Sequence, residues 1–196
     1  MTENLVWIDC EMTGLEPRTD CLVEIAVVVT NSELEILDPG LNIVIKPLPG
    51  TVENMNDFVR EMHTKSGLIH ELDGGVSVQE AEKMVLDYIK QWVPNPKTAP
   101  LAGNSIGTDR MFINKYMPQL NEFLHYRQVD VSSIKELTRR WFPTVYFRLP
   151  KKDSDHRALA DIIESINELR FYRKVVFVES ALSNHEIDLA IESLDK

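Results

Sequence analysis

The sequence predicts an α/β fold in which a mixed sheet is flanked by helices. Strand-like apolar segments with short connections fill the chain up to residue 46, which favours an antiparallel meander at the start. Short strands then alternate with helical patterns, as expected when parallel strands extend the same sheet. The length of 196 residues suits one domain with its own core.

Each element of this fold follows from a local pattern. The apolar run at 5–8 ends in Asp9 and predicts a buried first strand, and segments rich in β-branched residues predict the next two. Ser77 before Glu80, and Ser133 before Glu136, are capping-box patterns that predict helix starts. The predicted strands are 5–8, 21–30, 42–46, 101–102 and one ending at 129–130; the predicted helices are 52–68, 77–92, 108–116, 133–140 and 158–172.

The charge and composition exclude several classes of protein. A net charge of −10 argues against binding long nucleic acid through a basic face. Residues 179–196 contribute −4 and are predicted to form an acidic helix, which leaves −6 for residues 1–178. A nuclease with this charge needs metal ions to offset phosphate repulsion. The sequence shows neither a bilayer-spanning apolar run nor a signal peptide, so we expect a cytoplasmic protein without membrane contact, with Cys10 and Cys21 reduced.

Asp9 and Glu11 form the first candidate metal site. Side chains two residues apart on a strand share a face, so both carboxylates point to the same side. Two such charges repel unless something positive lies between them, and oxygen ligands favour Mg²⁺ or Mn²⁺. The alternative, favoured for this pair alone, is two solvated carboxylates at a strand end.

Three further residues carry chemistry of the same kind. Asp109 is predicted at the start of a central helix, where a dipole-stabilised acid is the alternative. His156 and Asp161 are five apart, so His156 is expected to precede the late helix while Asp161 lies within it. A histidine on a loop suits a general base because its pKa lies near neutrality. Separately, each of these residues also has an ordinary structural explanation.

In combination, these residues resemble the DEDDh exonuclease pattern, with a D-x-E strand, an Asp opening a central helix and H-x₄-D opening a late one. Longer stretches closely resemble the oligoribonuclease family, from about residue 5 to residue 177. They are WIDCEMTGL at 7–15, GNSIGTD at 103–109, HYR at 125–127, DVS at 130–132 and KEL at 135–137.

The resemblance implies a ribonuclease-H-like fold, a homodimer and 3′→5′ hydrolysis of very short RNA, especially dinucleotides, to 5′-mononucleotides. It implies that residues 1–178 form a single exonuclease domain and that the acidic tail lies outside it. Asp9, Glu11, Asp109 and Asp161 would hold two Mg²⁺ or Mn²⁺ ions, and His156 would deprotonate the attacking water.

The resemblance also implies a substrate-binding wall that admits no long nucleic acid. Leu15 and Phe58 would contact the two bases, and Tyr126 would reach across the dimer. A cap on the 5′-phosphate would come from His63, Ser105, Arg127 and Ser132. From spacing alone the alternatives stand: Leu15 and Phe58 in the core, Ser132 or Ser133 as a helix cap, and His63 and Tyr126 without a role.

The sequence departs from the family at two of these positions and leaves two other functions open. Phe58 stands where Trp is usual, which keeps an aromatic ring but a smaller one, and Cys10 stands where an apolar residue such as Leu is usual. A DEDDh exonuclease acting on DNA or on structured RNA ends would need an open channel, against which the negative charge argues. A non-catalytic nucleic-acid-binding module would be expected to lose some of the five catalytic-type residues.

Overall fold

A computed structural model describes residues 4–149, 157–177 and 182–194. The strands are β1 (Leu5–Met12), β2 (Leu22–Thr30), β3 (Leu41–Val44), β4 (Pro100–Gly103) and β5 (His125–Asp130). They form one sheet in the order β3-β2-β1-β4-β5. The first three pair antiparallel, and β4 and β5 continue from β1 in parallel. The predicted meander followed by parallel strands is therefore confirmed.

Helices cover both faces of the sheet. They are α1 (Asp57–Lys65), α2 (Val78–Trp92), α3 (Gly107–Tyr116), α4 (Pro118–Phe123), α5 (Val131–Trp141), α6 (Pro143–Tyr146), α7 (Ala158–Val175) and α8 (Asn184–Leu194), with 3₁₀ turns at Leu68–His70 and Leu72–Gly74. One face of the sheet packs against α2, α3 and α4 through alternate β1 residues such as Val6 and Ile8. The other face packs against α7 and α5, and Trp7 of β1 is buried there.

Several element boundaries differ from the sequence-based prediction. The first strand continues past Asp9 to Met12, because β2 pairs with it over its whole length. The helix predicted over 52–68 is shorter, since Asn56 caps α1 by accepting a hydrogen bond from the Val59 N–H. Ser77 caps α2 as predicted. The second capping box is wrong, because α5 begins at Val131.

The acidic tail contains a helix, and the described helices include no membrane span. Asn184–Leu194 is helical, and none of its residues is buried. Among the described helices, none combines the length and the apolar character that crossing a membrane requires. Both cysteines are buried free thiols, as predicted.

Candidate active site

Asp9 and Glu11 lie within β1, on the face that α7 covers. Trp7 precedes them on the same face, so the strand changes from apolar to acidic as it leaves the core. Asp9 is opposite Ala26 of β2 and Glu11 is opposite Glu24, and the register shifts directly after Glu11. A local irregularity of this kind re-aims side chains and is common beside active sites. The interpretation of the pair as solvated strand-end charges is therefore wrong, since both lie within a paired strand and Glu11 is buried.

Glu24 places a second buried carboxylate directly across the strand pair from Glu11. Its Oε1 accepts hydrogen bonds from Arg157 Nε (3.0 Å) and Nη2 (2.8 Å), and its Oε2 accepts one from the Ala158 N–H (3.0 Å). Arg157 also donates to the Glu71 carboxylate, through Nη1 (2.9 Å) and through Nη2 (3.1 Å), which it shares with Glu24. Like charges opposite each other destabilise a sheet unless they are compensated. Arg157 supplies that compensation to Glu24.

Asp161 completes a compact cluster of acids. It lies in the first turn of α7, one turn after Arg157, whose carbonyl accepts the Asp161 N–H (3.1 Å). One carboxylate oxygen from each of Asp9, Glu11 and Asp161 lies within 4.8 Å of the other two. The sheet and the start of α7 thus bring together three of the four predicted metal ligands.

Asp109 lies beside this cluster and contacts the backbone of β1. Parallel pairing between β1 and β4 stops at Trp7 and Ala102, so the Cys10 N–H finds no strand partner there. Instead it donates to Asp109 Oδ1 (3.0 Å). Gly103 makes the turn into α3 possible, because a Cβ there would lie 2.7 Å from the Ile106 side chain and 3.1 Å from the Ile8 carbonyl oxygen.

Burial and mutual repulsion raise the pKa values of these acids. Burial is the main cause at Glu11, followed by the charges of Asp161, Glu24 and Asp109, and its pKa rises to about 8. Burial followed by the Asp109 charge raises the pKa of Asp9 well above its ordinary value. The pKa of Asp109 rises to about 7, again mainly by burial, although N–H donors oppose the shift.

This donor set fits a divalent cation. Arg157 is paired with Glu24 and Glu71, and its positive charge only partly offsets the repulsion that raises the pKa of Glu11. The cluster offers carboxylate oxygens alone, which Mg²⁺ and Mn²⁺ prefer over softer metals. A bound divalent ion would compensate the negative charge that the protein itself leaves uncompensated.

The predicted general base, His156, lies outside the described residues. The next residue in the chain is Arg157, whose pairing with Glu24 anchors the start of α7. The catalytic role of His156 therefore stays a prediction from the sequence.

Leu15 is exposed on a loop that the structure braces firmly. The Asp20 carboxylate accepts from Thr13 Oγ1 (3.3 Å) and the Glu16 N–H (2.9 Å), and Tyr116 of α3 donates to the Asp20 carbonyl (2.6 Å). Leu15 is 75% exposed, so its interpretation as a core residue is wrong. The loop presents an apolar side chain to solvent at a defined place near the end of β1.

Phe58 and His63 are both carried by α1 but occupy opposite environments. Phe58 is 74% exposed and is not a core residue either. His63 is fully buried, its Nε2 lies 2.8 Å from the Met12 carbonyl oxygen, and its Nδ1 lies 3.9 Å from Glu11 Oε2. Since a carbonyl can only accept, Nε2 carries the hydrogen. His63 thus attaches α1 to the end of β1 beside Glu11, and its contact with a phosphate stays a prediction.

Asp130 brings Ser105 and Ser132 together. Its Oδ1 accepts from the Ser105 N–H (3.0 Å), the Ser132 N–H (2.9 Å) and Ser132 Oγ (2.6 Å). Asp130, rather than Ser132 or Ser133, is therefore the N-cap of α5. Ser105 has a φ of +54°, a strained conformation for a residue with a side chain. Two predicted phosphate ligands thus meet where β4 and β5 end.

Tyr126 and Arg127 contact each other on the exposed edge strand β5. Arg127 Nε donates to the Tyr126 hydroxyl (3.1 Å), and the guanidinium carbon lies 5.6 Å from the ring centroid. Tyr126 is 74% exposed, so the ring is available to another molecule.

Sequence reasoning missed Glu24, Arg157 and the capping role of Asp130. One signal for Glu24 was available, because it is the only charged residue in the otherwise apolar 22–30 segment. A buried charge in a strand requires a partner. The partner itself, 133 positions further along the chain, left no local signal.

The sheet order and the acidic cluster are those expected of a metal-dependent exonuclease, and comparisons with known proteins agree with this class. A family model described as Exonuclease (RNase_T) matches residues 6–169. Among solved structures, a zinc-bound complex of E. coli ExoI with single-stranded DNA aligns with a TM-score of 0.65 at 14% identity, over 89% of this chain and 41% of that chain. Exonuclease I from Methylocaldum szegediense aligns with a TM-score of 0.60 at 18% identity, over 88% of this chain and 41% of its own. These two likenesses show the fold, and the chain spans about two fifths of each structure's length.

More similar relatives, all of them oligoribonucleases, identify the family within this class. The oligoribonuclease of Leifsonia xyli subsp. xyli is 65% identical over 90% of this chain and 86% of its own length. That of Streptomyces coelicolor is 57% identical over 91% and 89%, and that of Mycobacterium tuberculosis is 55% identical over 99% and 91%. The chain belongs to the oligoribonuclease family of exonucleases.

Proposed function

We propose that the chain removes 5′-mononucleotides from the 3′ end of very short RNA and that dinucleotides are its preferred substrates. The carrying observation is the cluster of Asp9, Glu11 and Asp161, whose oxygens lie within 4.8 Å of one another in a chain of the oligoribonuclease family. Asp109 is the fourth acid of the proposed site. The four would hold two Mg²⁺ or Mn²⁺ ions, whose positive charge stabilises the attacking and leaving oxygens.

In the reaction, water attacks the phosphorus atom of the 3′-terminal phosphodiester and displaces the 3′-oxygen of the preceding nucleotide. The P–O3′ bond breaks, the new P–O bond comes from water, and the released nucleotide keeps its phosphate on the 5′ carbon. His156 accepts the proton of the attacking water, and the leaving oxygen takes up a proton from solvent. The anchor of Glu24 and Arg157 supports this role, since it holds the residue that follows His156.

The preference for dinucleotides is supported by two sets of side chains. Leu15 and Phe58 are large apolar side chains exposed to solvent. Stacking on the Phe58 ring tolerates any base, and so does apolar contact with Leu15. Ser105 and Ser132, held together by Asp130, and Arg127, with its planar fork of donors, would receive a 5′-phosphate. A phosphate held there ends the site after two nucleotides. Tyr126 would reach the substrate of a partner subunit in a homodimer.

Product analysis tests this proposal. A 5′-phosphorylated RNA dinucleotide incubated with Mg²⁺ or Mn²⁺ should yield only 5′-mononucleotides, and none when the metal is chelated. The Asp109→Ala variant should lose turnover in Mn²⁺, whereas an exposed control, Glu122→Gln, should not. Nucleoside 3′-phosphates among the products, or an unchanged rate in Asp109→Ala, would refute the proposed site.

A further inference from the structure

The tail helix α8 has an apolar face that the described residues leave largely exposed. Ile187, Ile191 and Leu194 follow helical spacing and are 42%, 56% and 82% exposed. Glu186 and Asp188 lie on either side of this stripe, at about 100° from its centre. The helix therefore has the amphipathic, acid-flanked pattern of a docking helix.

An isolated helix of this length has little stability of its own. With 11 residues, α8 is shorter than the ~12–15 residues at which a lone helix becomes even marginally stable in water. Most of the stability of such a helix comes from packing its apolar face. A surface that receives Ile187, Ile191 and Leu194 would therefore stabilise the helical state of α8.

A groove beside the last two turns of α7 offers such a surface. It has a volume of about 1070 Å³ and an apolar lining of Leu5, Leu34, Leu169 and Phe177. Arg170, Arg173 and Lys174 supply positive charge, with Glu33 as the one acid. We name it the α7 groove. It is separate from the active site, because Asp161 lies just over two helical turns, about 12 Å along α7, before Leu169, the nearest groove residue of that helix.

We propose that α8 of the same chain docks in the α7 groove, antiparallel to α7. The apolar stripe would meet the apolar lining, and the acids of α8 would face the three cations. The lengths are compatible, since the apolar stripe of α8 from Ile187 to Leu194 spans about 10 Å and the groove residues of α7, Leu169 to Lys174, span about 8 Å.

The connection favours the same chain over a second copy. Eight residues separate Val175 from Asn184, which is within the ~2–8 residues that join antiparallel helices in bundles. Phe177 lines the groove and lies at the start of this connection. Arg173 already contacts Glu33, but that pair is exposed, so exchanging its partner costs little.

Hydrogen exchange of the α8 amides in the full-length protein tests the proposal. Docked α8 should exchange at least roughly tenfold more slowly than an unstructured peptide, because local opening must precede exchange. Ile191→Glu should abolish this protection, whereas Leu189→Glu, on the opposite face, should retain it. Glu is a better helix former than Ile and about equal to Leu, so a loss of protection in Ile191→Glu alone cannot come from helix propensity.

A charge reversal in the groove gives a second, independent arm. Lys174→Glu should lower the α8 protection several-fold at low salt, and the effect should shrink as salt rises. Lys83→Glu, the same change on α2 and on the other face of the sheet, should leave α8 unaffected. Unprotected α8 amides in the wild type, or equal effects of the two lysine variants, would overturn the docking.

Cross-linking decides which chain supplies α8. A bis-maleimide should join Lys174→Cys to Ile191→Cys within one chain, and should react far more slowly when the second cysteine replaces Leu189. The native thiols are buried and serve as the background control. Links that form only between two chains would overturn the proposal, since the occupant would then be a second copy. Dinucleotide hydrolysis should be unchanged in all these variants.

Discussion

Replacing Glu11 by glutamine should abolish the stabilisation of the protein by Mg²⁺ or Mn²⁺. It should also make the metal-free protein more stable to unfolding at alkaline pH. Burial and three neighbouring acids raise the pKa of Glu11 to about 8, against an ordinary value of 4.5. Because the folded pKa lies above the unfolded one, the stability associated with the protonated side chain is fully present below about pH 4.5. It is lost as the pH rises through about 8.

The magnitude follows from the size of this shift. A change from 4.5 to about 8 corresponds to about 5 kcal/mol of unfavourable free energy once Glu11 is ionised. A glutamine amide removes the charge but is itself polar and loses water on burial. We therefore expect Glu11→Gln to recover on the order of 2 kcal/mol in the free energy of unfolding at alkaline pH.

Urea denaturation of the metal-free protein at about pH 5 and about pH 9 measures this effect. The variant and the wild type should be nearly equal at the acidic pH, and the variant should be more stable at the alkaline one. Added Mg²⁺ or Mn²⁺ should stabilise the wild type and not the variant, and the variant should lose turnover. The control is Glu122→Gln, which removes an exposed charge. A variant no more stable than the wild type at alkaline pH, or one that still responds to metal, would refute the reasoning.

Three further predictions concern groups around the acids. Glu24→Gln weakens the Arg157–Glu24 ion pair that anchors the start of α7, so the free energy of unfolding should fall by about 1.5–3 kcal/mol. kcat should fall more than KM rises. Unchanged stability in urea would contradict this role of the ion pair. Phe58→Ala should raise KM for dinucleotides by about tenfold or more through lost stacking, and Phe58→Trp should lower it, as steady-state kinetics would show. Arg127→Lys keeps the charge but loses the fork, so kcat/KM should fall by about tenfold for a 5′-phosphorylated dinucleotide and little for the unphosphorylated one; an equal loss for both would rule out a phosphate contact.

Local periodicity predicted most of the sheet and one metal-site pattern. The two-residue spacing of Asp9 and Glu11 placed both on one face, and the structure confirms that their oxygens cluster. The end of β1 was predicted too early, because strand length depends on pairing with β2 and not on the apolar run alone. Strand β5 was recognised only at its end, since the exposed residues at its start lack the apolar pattern of a buried strand.

Long-range contacts account for what the sequence did not predict. Asp130 caps α5 in place of the serines, and its carboxylate also accepts a hydrogen bond from the Ser105 N–H, 25 positions away, which no local pattern indicates. The burial of His63 beside Glu11 depends on how α1 packs against the end of β1, and no spacing within 57–65 indicates it. The resemblance to a family named candidate residues at these places, but it did not supply the contacts that hold them.

The central claim is that the site accepts very short RNA, and a comparison of substrate lengths tests it most directly. kcat/KM should be measured for a 5′-phosphorylated RNA dinucleotide and for an RNA of about 20 nucleotides, longer than a single-strand groove typically spans. We predict that kcat/KM is at least about a hundredfold higher for the dinucleotide, which corresponds to about 2.7 kcal/mol. A charge-assisted phosphate contact and a stacked base together provide about this much free energy. Equal or faster hydrolysis of the longer RNA would contradict it.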